Sequence, residues 1–141
     1  GISILYITHD LTTAYQVAEN IIILYKGTVA EAGDVEKVIN SPTHPYTRLL
    51  VDSIPQPDPD LQWGSSSSIS MITAGQSGHG CVFFDRCPIR EDRCDVSPPS
   101  LYQTDKYRVT RCYAYEDSGV FDKHGLTEAF IPASEIVPIQ D

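Results

Sequence analysis

Apolar positions open the chain almost without interruption. Residues 2–7 (Ile-Ser-Ile-Leu-Tyr-Ile) read as a strand buried on both faces, the pattern of a parallel sheet. Thr8-His9-Asp10 breaks the run, and Asp10 is a good N-cap for a helix reaching about Glu19, with Leu11, Ala14, Tyr15 and Ala18 on one apolar face. Residues 21–25 form a second apolar strand, Lys26-Gly27 a turn, and residues 28–32 a returning strand. Asp34 opens a short helix to Asn40, with Val35, Val38 and Ile39 inward. Pro45 suits the first turn of another, striped by Tyr46, Leu49 and Leu50 and closed by Pro55. Strand, helix, strand in that order predicts an α/β fold and the edge of its sheet.

The pattern changes after Pro55. Prolines 55, 57 and 59, the serines 65–68 and glycines 75, 78 and 80 predict a linker over 55–80, which the lone Trp63 could pin to a neighbour. A cysteine-bearing segment comes next over 81–117, small and irregular in character, and then a tail over 118–141. Residues 1–54 form the first unit.

Composition narrows the partners. The 141 residues carry 19 acidic and 10 basic side chains, a net charge of −9. A general affinity for nucleic acid or an anionic membrane surface needs a positive field, so neither is expected. No apolar run reaches the roughly 18–20 residues of a membrane span, and no secretory leader is expected. The chain opens at Gly1 without an initiator Met, directly on a strand-like run, which suggests a piece of something longer. A strand and helix cut from a larger sheet would leave apolar faces open, so the isolated chain is expected to self-associate.

Two features carry candidate chemistry. His9 stands at the carboxyl end of the first predicted strand, where α/β sheets place ligand sites, although a lone His there also serves as a turn residue. Cys81, Cys87, Cys94 and Cys112 are the only cysteines, with gaps of five, six and seventeen residues. Four cysteines allow two disulfides in three pairings. A zinc ion prefers pairs two to four residues apart, and a [4Fe–4S] cluster accepts wider spacing. Arg86, Arg90 and Arg93 lie among them and could offset thiolate charge. No glycine-rich loop followed by Lys and Ser or Thr is present to cradle phosphates. Gly75-Gln-Ser-Gly-His-Gly80 lacks that lysine, so the chain by itself is not expected to hydrolyse ATP.

Residues 4–11, Ile-Leu-Tyr-Ile-Thr-His-Asp-Leu, closely resemble the switch-histidine segment of ABC transporter ATPases, and residues 21–33 resemble the strand, glycine turn and strand that come after it in that family. Residues 40–50, Asn-Ser-Pro-Thr-His-Pro-Tyr-Thr-Arg-Leu-Leu, resemble the His-Pro-Tyr segment of ATPases that power oligopeptide and dipeptide importers. The resemblance implies the C-terminal edge of a nucleotide-binding domain, with His9 contacting the γ-phosphate of ATP. It implies ATP and magnesium in the full-length protein only, a second ATP-binding subunit and transmembrane permease subunits as partners, and a place on the cytoplasmic face of the membrane. Residues 80–88, then Cys94, then 109–112, resemble the cysteine motif of the same ATPases, some of which carry a [4Fe–4S] cluster there. With an intracellular ATPase disulfides recede, and Cys81, Cys87, Cys94 and Cys112 become the implied ligands, zinc being the alternative. A stand-alone cluster- or zinc-binding module is the rival reading. His44 and Tyr46 are read as packing residues.

Overall fold

The computed structural model describes residues 2–54, 80–122, 125–132 and 135. The linker reading, with Trp63 and the glycines before Gly80, lies outside them.

Asp10 caps the first helix as expected. Its carboxylate accepts the backbone N–H of Thr12 at 2.9 Å and of Thr13 at 3.4 Å. The helix α1 (Leu11–Val17) is shorter than expected because Ala18 turns extended (φ −106°, ψ 141°) to lead into strand β1 (Asn20–Tyr25). Lys26 and Gly27 turn the chain at φ 46° and 76°, the twist of a type I′ hairpin, into β2 (Thr28–Asp34). The Asp34 carboxylate receives the N–H of Glu36 and starts α2 (Val35–Asn40), whose Val35, Val38 and Ile39 are buried. Pro45 opens α3 (Pro45–Asp52), with His44 as its cap. After residue 80 come a 3-10 turn at Phe84–Arg86, the single turn α4 (Arg93–Val96), and the strands β3 (Tyr102–Asp105) and β4 (Arg108–Thr110).

The sheet corrects two expectations. It has the order β1-β2-β4-β3 and is antiparallel throughout, not parallel. Residues 2–7 are not part of it. Ile2, Ile4, Leu5 and Ile7 are each more than four-fifths exposed. A strand is defined by its ladder, and no described element lies alongside this run to pair with it, so β-propensity alone does not make it one.

The second half of the sheet comes from the cysteine-bearing region, because β4 pairs with β2: Glu31 opposite Thr110, Ala32 opposite Val109, Gly33 opposite Arg108. Two apolar clusters result. Ile23, Ala30 and Val38 are surrounded by Leu11, Ile21, Tyr25, Tyr46 and Leu50. Ala32, Val109 and Ala129 are surrounded by residues that include Leu101, Phe121, Leu126 and Phe130. Segments beyond Ser118 therefore help fill the core. Val120 bridges Tyr102, and the Asn20 side chain both donates to and accepts from the backbone of Ile131 (3.2 and 2.9 Å). Among the described residues no helix is long and apolar enough to cross a membrane.

Candidate metal centre

Phe83 fastens the first cysteine loop to the sheet. It sits between Cys81 and Cys87, is 2% exposed, and packs on Tyr25 (ring centroids 5.2 Å), Tyr46 (5.6 Å) and His44 (5.7 Å). The N–H of Cys81 donates to the carbonyl of Cys94 at 2.7 Å, drawing the loop onto α4. That approach requires a glycine before Cys81. A Cβ on Gly80 would overlap the carbonyl oxygens of both Cys94 and Asp95.

The last cysteine is brought in by arginines. The N–H of Arg111 donates to the Ala30 carbonyl at 2.8 Å, and its guanidinium donates to the carbonyls of Val29 and Pro99, each at 3.1 Å. Cys112 comes directly after. Arg93, from α4, pairs with Glu91 at 2.7 Å and with Glu116, and covers the ring of Tyr113 at 4.7 Å. Of the arginines expected near the thiols, Arg93 thus joins α4 to the Cys112 segment, Arg90 lies over Phe84 (5.4 Å), and Arg86 is exposed.

Cys81, Cys87, Cys94 and Cys112 are free, half-buried and line one cavity, with His44, Phe83 and Tyr113 also in its wall. Among the described residues no three or more His, Cys, Asp or Glu side chains are placed to hold a metal ion. Burial raises the thiol pKa of Cys81 and Cys112 and pushes that of Cys87 up to about 11, with the neighbouring cysteines adding to each. Backbone N–H groups oppose the rise at the sulfurs: those of Phe83 and Phe84 at Cys81, Ile89 at Cys87 and Ala114 at Cys112. Such donors favour thiolate. A metal taken up here would displace protons from these thiols, and the amides already aimed at the sulfurs would then stabilise the ligand charge.

Residues 30–94 match the family model described as the oligopeptide/dipeptide transporter, C-terminal region. Residues 30–94 belong to this oligopeptide/dipeptide transporter family. It is similar to the oligopeptide transport ATP-binding protein AppD of Bacillus subtilis, with 38% identity over 117 residues, 83% of this chain and 36% of the relative. It is similar to the oligopeptide transport ATP-binding protein OppF of Escherichia coli, with 32% identity over 113 residues, 78% of this chain and 34% of the relative. A putative peptide import ATP-binding protein of Brucella ovis shares 36% over 102 residues, 72% of this chain and 32% of that one. The chain spans about a third of the length of these relatives.

The two candidate sites stay apart. His9 is exposed, next to the Asp10 cap, and lies outside the cysteine cavity. His44, a packing residue by its sequence context, is 4% exposed and lines the cavity. Its Nδ1 accepts the N–H of Tyr46 at 3.0 Å, and burial pushes its pKa down to about 4, with the Arg111 backbone opposing. Below it lies Glu31, 0% exposed, whose carboxylate accepts the N–H of Thr43 (3.0 Å), the Thr43 hydroxyl (2.7 Å) and the N–H of His44 (3.0 Å).

Proposed function

We propose that this chain is the C-terminal part of the ATP-hydrolysing subunit of an ABC importer that takes up peptides. The observation that carries the reading is the match over most of the chain to relatives named as oligopeptide transport ATP-binding proteins. In this reading residues 1–54 close a nucleotide-binding domain, 55–80 link it to the cysteine region 81–117, and 118–141 form its tail. ATP and magnesium are bound by the full-length protein. A second ATP-binding subunit and transmembrane permease subunits complete the importer, at the cytoplasmic face of the membrane. His9 supplies a hydrogen-bond donor at the γ-phosphate, where charge develops during phosphoryl transfer. His9→Ala in the full-length subunit, assembled with its partners, should lower ATP turnover and peptide uptake together by about 100-fold or more. Turnover unchanged by that substitution removes the assignment of His9, and a transporter of another substrate class removes the peptide reading.

The exposed run at residues 2–7 and the place of β1 at the end of the sheet support self-association of the isolated chain.

In the same reading Cys81, Cys87, Cys94 and Cys112 ligate a [4Fe–4S] cluster, zinc being the alternative. Four thiols facing one cavity, and amides aimed at three of the sulfurs, support thiolate ligation. The space between the thiols is small, about 20 Å³, so the cube requires the cysteine side chains to turn outwards. When bound, the cluster supplies four cross-links. The chain's own part is to hold three segments (the Cys81–Cys87 loop, α4 and the start of Tyr113–Ser118) close enough to share them. Protein prepared without oxygen should contain about four iron and four sulfide per chain, one sulfur ligand to each iron. One zinc and no sulfide selects the alternative, and neither metal leaves thiols or disulfides.

A further inference from the structure

We propose that the four-cysteine site carries a redox switch: when it holds no metal, a small-molecule disulfide oxidises Cys81 and Cys94 to a cross-link that withdraws two of the four ligands. The inference deepens the reading of that site given above and rests on it only for what the link excludes.

The backbone brings this pair together. The N–H of Cys81 donates to the carbonyl of Cys94 at 2.7 Å. Among the described residues no other two cysteines share a backbone hydrogen bond. Residues hydrogen-bonded across two strands have alpha carbons about 5.5 Å apart, and a disulfide accepts about 4.4–6.8 Å. Gly80 keeps the approach close, since a Cβ there would overlap the carbonyl oxygens of Cys94 and Asp95. Both thiols are free, half-buried and in the wall of the same small cavity. The other two cysteines are tied elsewhere. The N–H of Cys87 donates to the Phe84 carbonyl within its own 3-10 turn at 3.2 Å, and Cys112 follows Arg111, whose N–H is held by Ala30 on β2.

The step balances with oxidised glutathione as the oxidant. One cysteine sulfur, as thiolate, attacks the glutathione disulfide. One glutathione leaves as thiolate and a mixed disulfide remains. The second cysteine sulfur attacks the protein sulfur of that mixed disulfide, the Cys81–Cys94 bond forms, and the second glutathione leaves. Two cysteine thiols are oxidised, one glutathione disulfide is reduced, and the two thiol protons pass to the two leaving thiolates. Closing the bond requires no change of fold, because the loop and α4 already touch through their backbones. It leaves Cys87 and Cys112 as the only thiols on the cavity, too few for a four-thiolate ligand set. Oxidation and metal loading therefore exclude each other, and a thiol reductant reopens the site.

The test equilibrates the reduced, metal-free full chain with graded ratios of glutathione to its disulfide and blocks the remaining thiols with iodoacetamide. Trypsin cuts after Arg86, Arg90, Arg93 and Arg111, so each cysteine leaves on its own peptide. Mass spectrometry without reductant then identifies the linked pair. At half oxidation the Cys81–Cys94 link should exceed any other pair about tenfold, the factor for one hydrogen bond already made between the partners. A different leading pair, or glutathione adducts without a link, overturns the inference. Gly80→Ala keeps all four thiols and pushes the loop off α4, so most of that preference should be lost. An unchanged preference in this variant overturns the inference as well. Circular dichroism reports folding, and if the Ala variant unfolds, the wild-type map of pairs decides alone. Chain purified without oxygen, with its metal bound, should form no link until a chelator strips the metal. A link formed while the metal stays bound overturns the switch. If chain purified in this way holds no metal, the cluster reading falls, while the map of pairs still decides which thiols join.

Discussion

Glu31→Ala should destabilise the protein by about 3 kcal/mol or more, because it strands three buried donors at once, each costing about 1–3 kcal/mol when unmet. The side chain is fully buried in the middle of the sheet, opposite Ile23 on one side and Thr110 on the other. Its carboxylate has no ion-pair partner among the described residues. What holds it is dipolar: the N–H groups of Thr43 and His44, just ahead of α3, and the Thr43 hydroxyl. A buried carboxylate fully supplied with donors is tolerated, and its donors without it are not. Glu31→Gln keeps the shape and one acceptor but turns an amide NH₂ toward those donors, so its loss should fall between wild type and Ala. Urea denaturation measures the series as a falling midpoint at constant slope. A Gln variant as stable as wild type would mean that the charge contributes nothing.

Glu31 also marks the limit of what the sequence discloses. The elements of the first half are legible because their signals are local: Asp10 and Asp34 as caps, Lys26-Gly27 as a hairpin turn, Pro45 as a helix start. Nothing in residues 28–32 marks Glu31 as buried, because burial comes from β4, some eighty positions away, and alternation along one strand says nothing about its distant partner. Residues 2–7 mislead for the converse reason. They have the composition of an inner strand and no described neighbour. The strands β3 and β4 escape sequence reading because they are short and polar, with Tyr102–Asp105 and Arg108–Thr110 separated by two residues. At the site, the cysteines announce themselves by type and spacing. The residues that arrange them do not. Phe83 reads as an ordinary aromatic, and His44 comes to line the cavity only because Phe83 and the cysteines arrive from later in the chain.

Gly33→Ala should lower the stability by about 3 kcal/mol, combining backbone strain of about 1–3 kcal/mol with lost sheet bonds of about 1 kcal/mol each. Gly33 has φ +146°, which side-chain-bearing residues rarely adopt. It also lies under the β3–β4 turn. An added Cβ would overlap the Tyr107 carbonyl oxygen and come within 2.8 Å of Arg108 Cα, both of them backbone atoms that no rotamer change can move aside. Relief requires the whole turn to lift. Lifting it breaks the Asp34 N–H to Tyr107 carbonyl bond (2.9 Å) and the pairing of Gly33 with Arg108. Arg108 would then release the carbonyls of Lys37 (3.1 Å) and Ser41 at the end of α2. The melting temperature should fall by roughly 10 °C for a chain of this size, and a fall within 2 °C of wild type would show that the turn yields freely. The damage should travel to the cysteine site as well. β4 leads through Thr110 and Arg111 into Cys112, and its pairing with β2 sets where that segment lies. Faster alkylation of Cys112 than of Cys87 in Gly33→Ala would therefore show that the sheet, and not the cysteine loops alone, places the last thiol in the cavity.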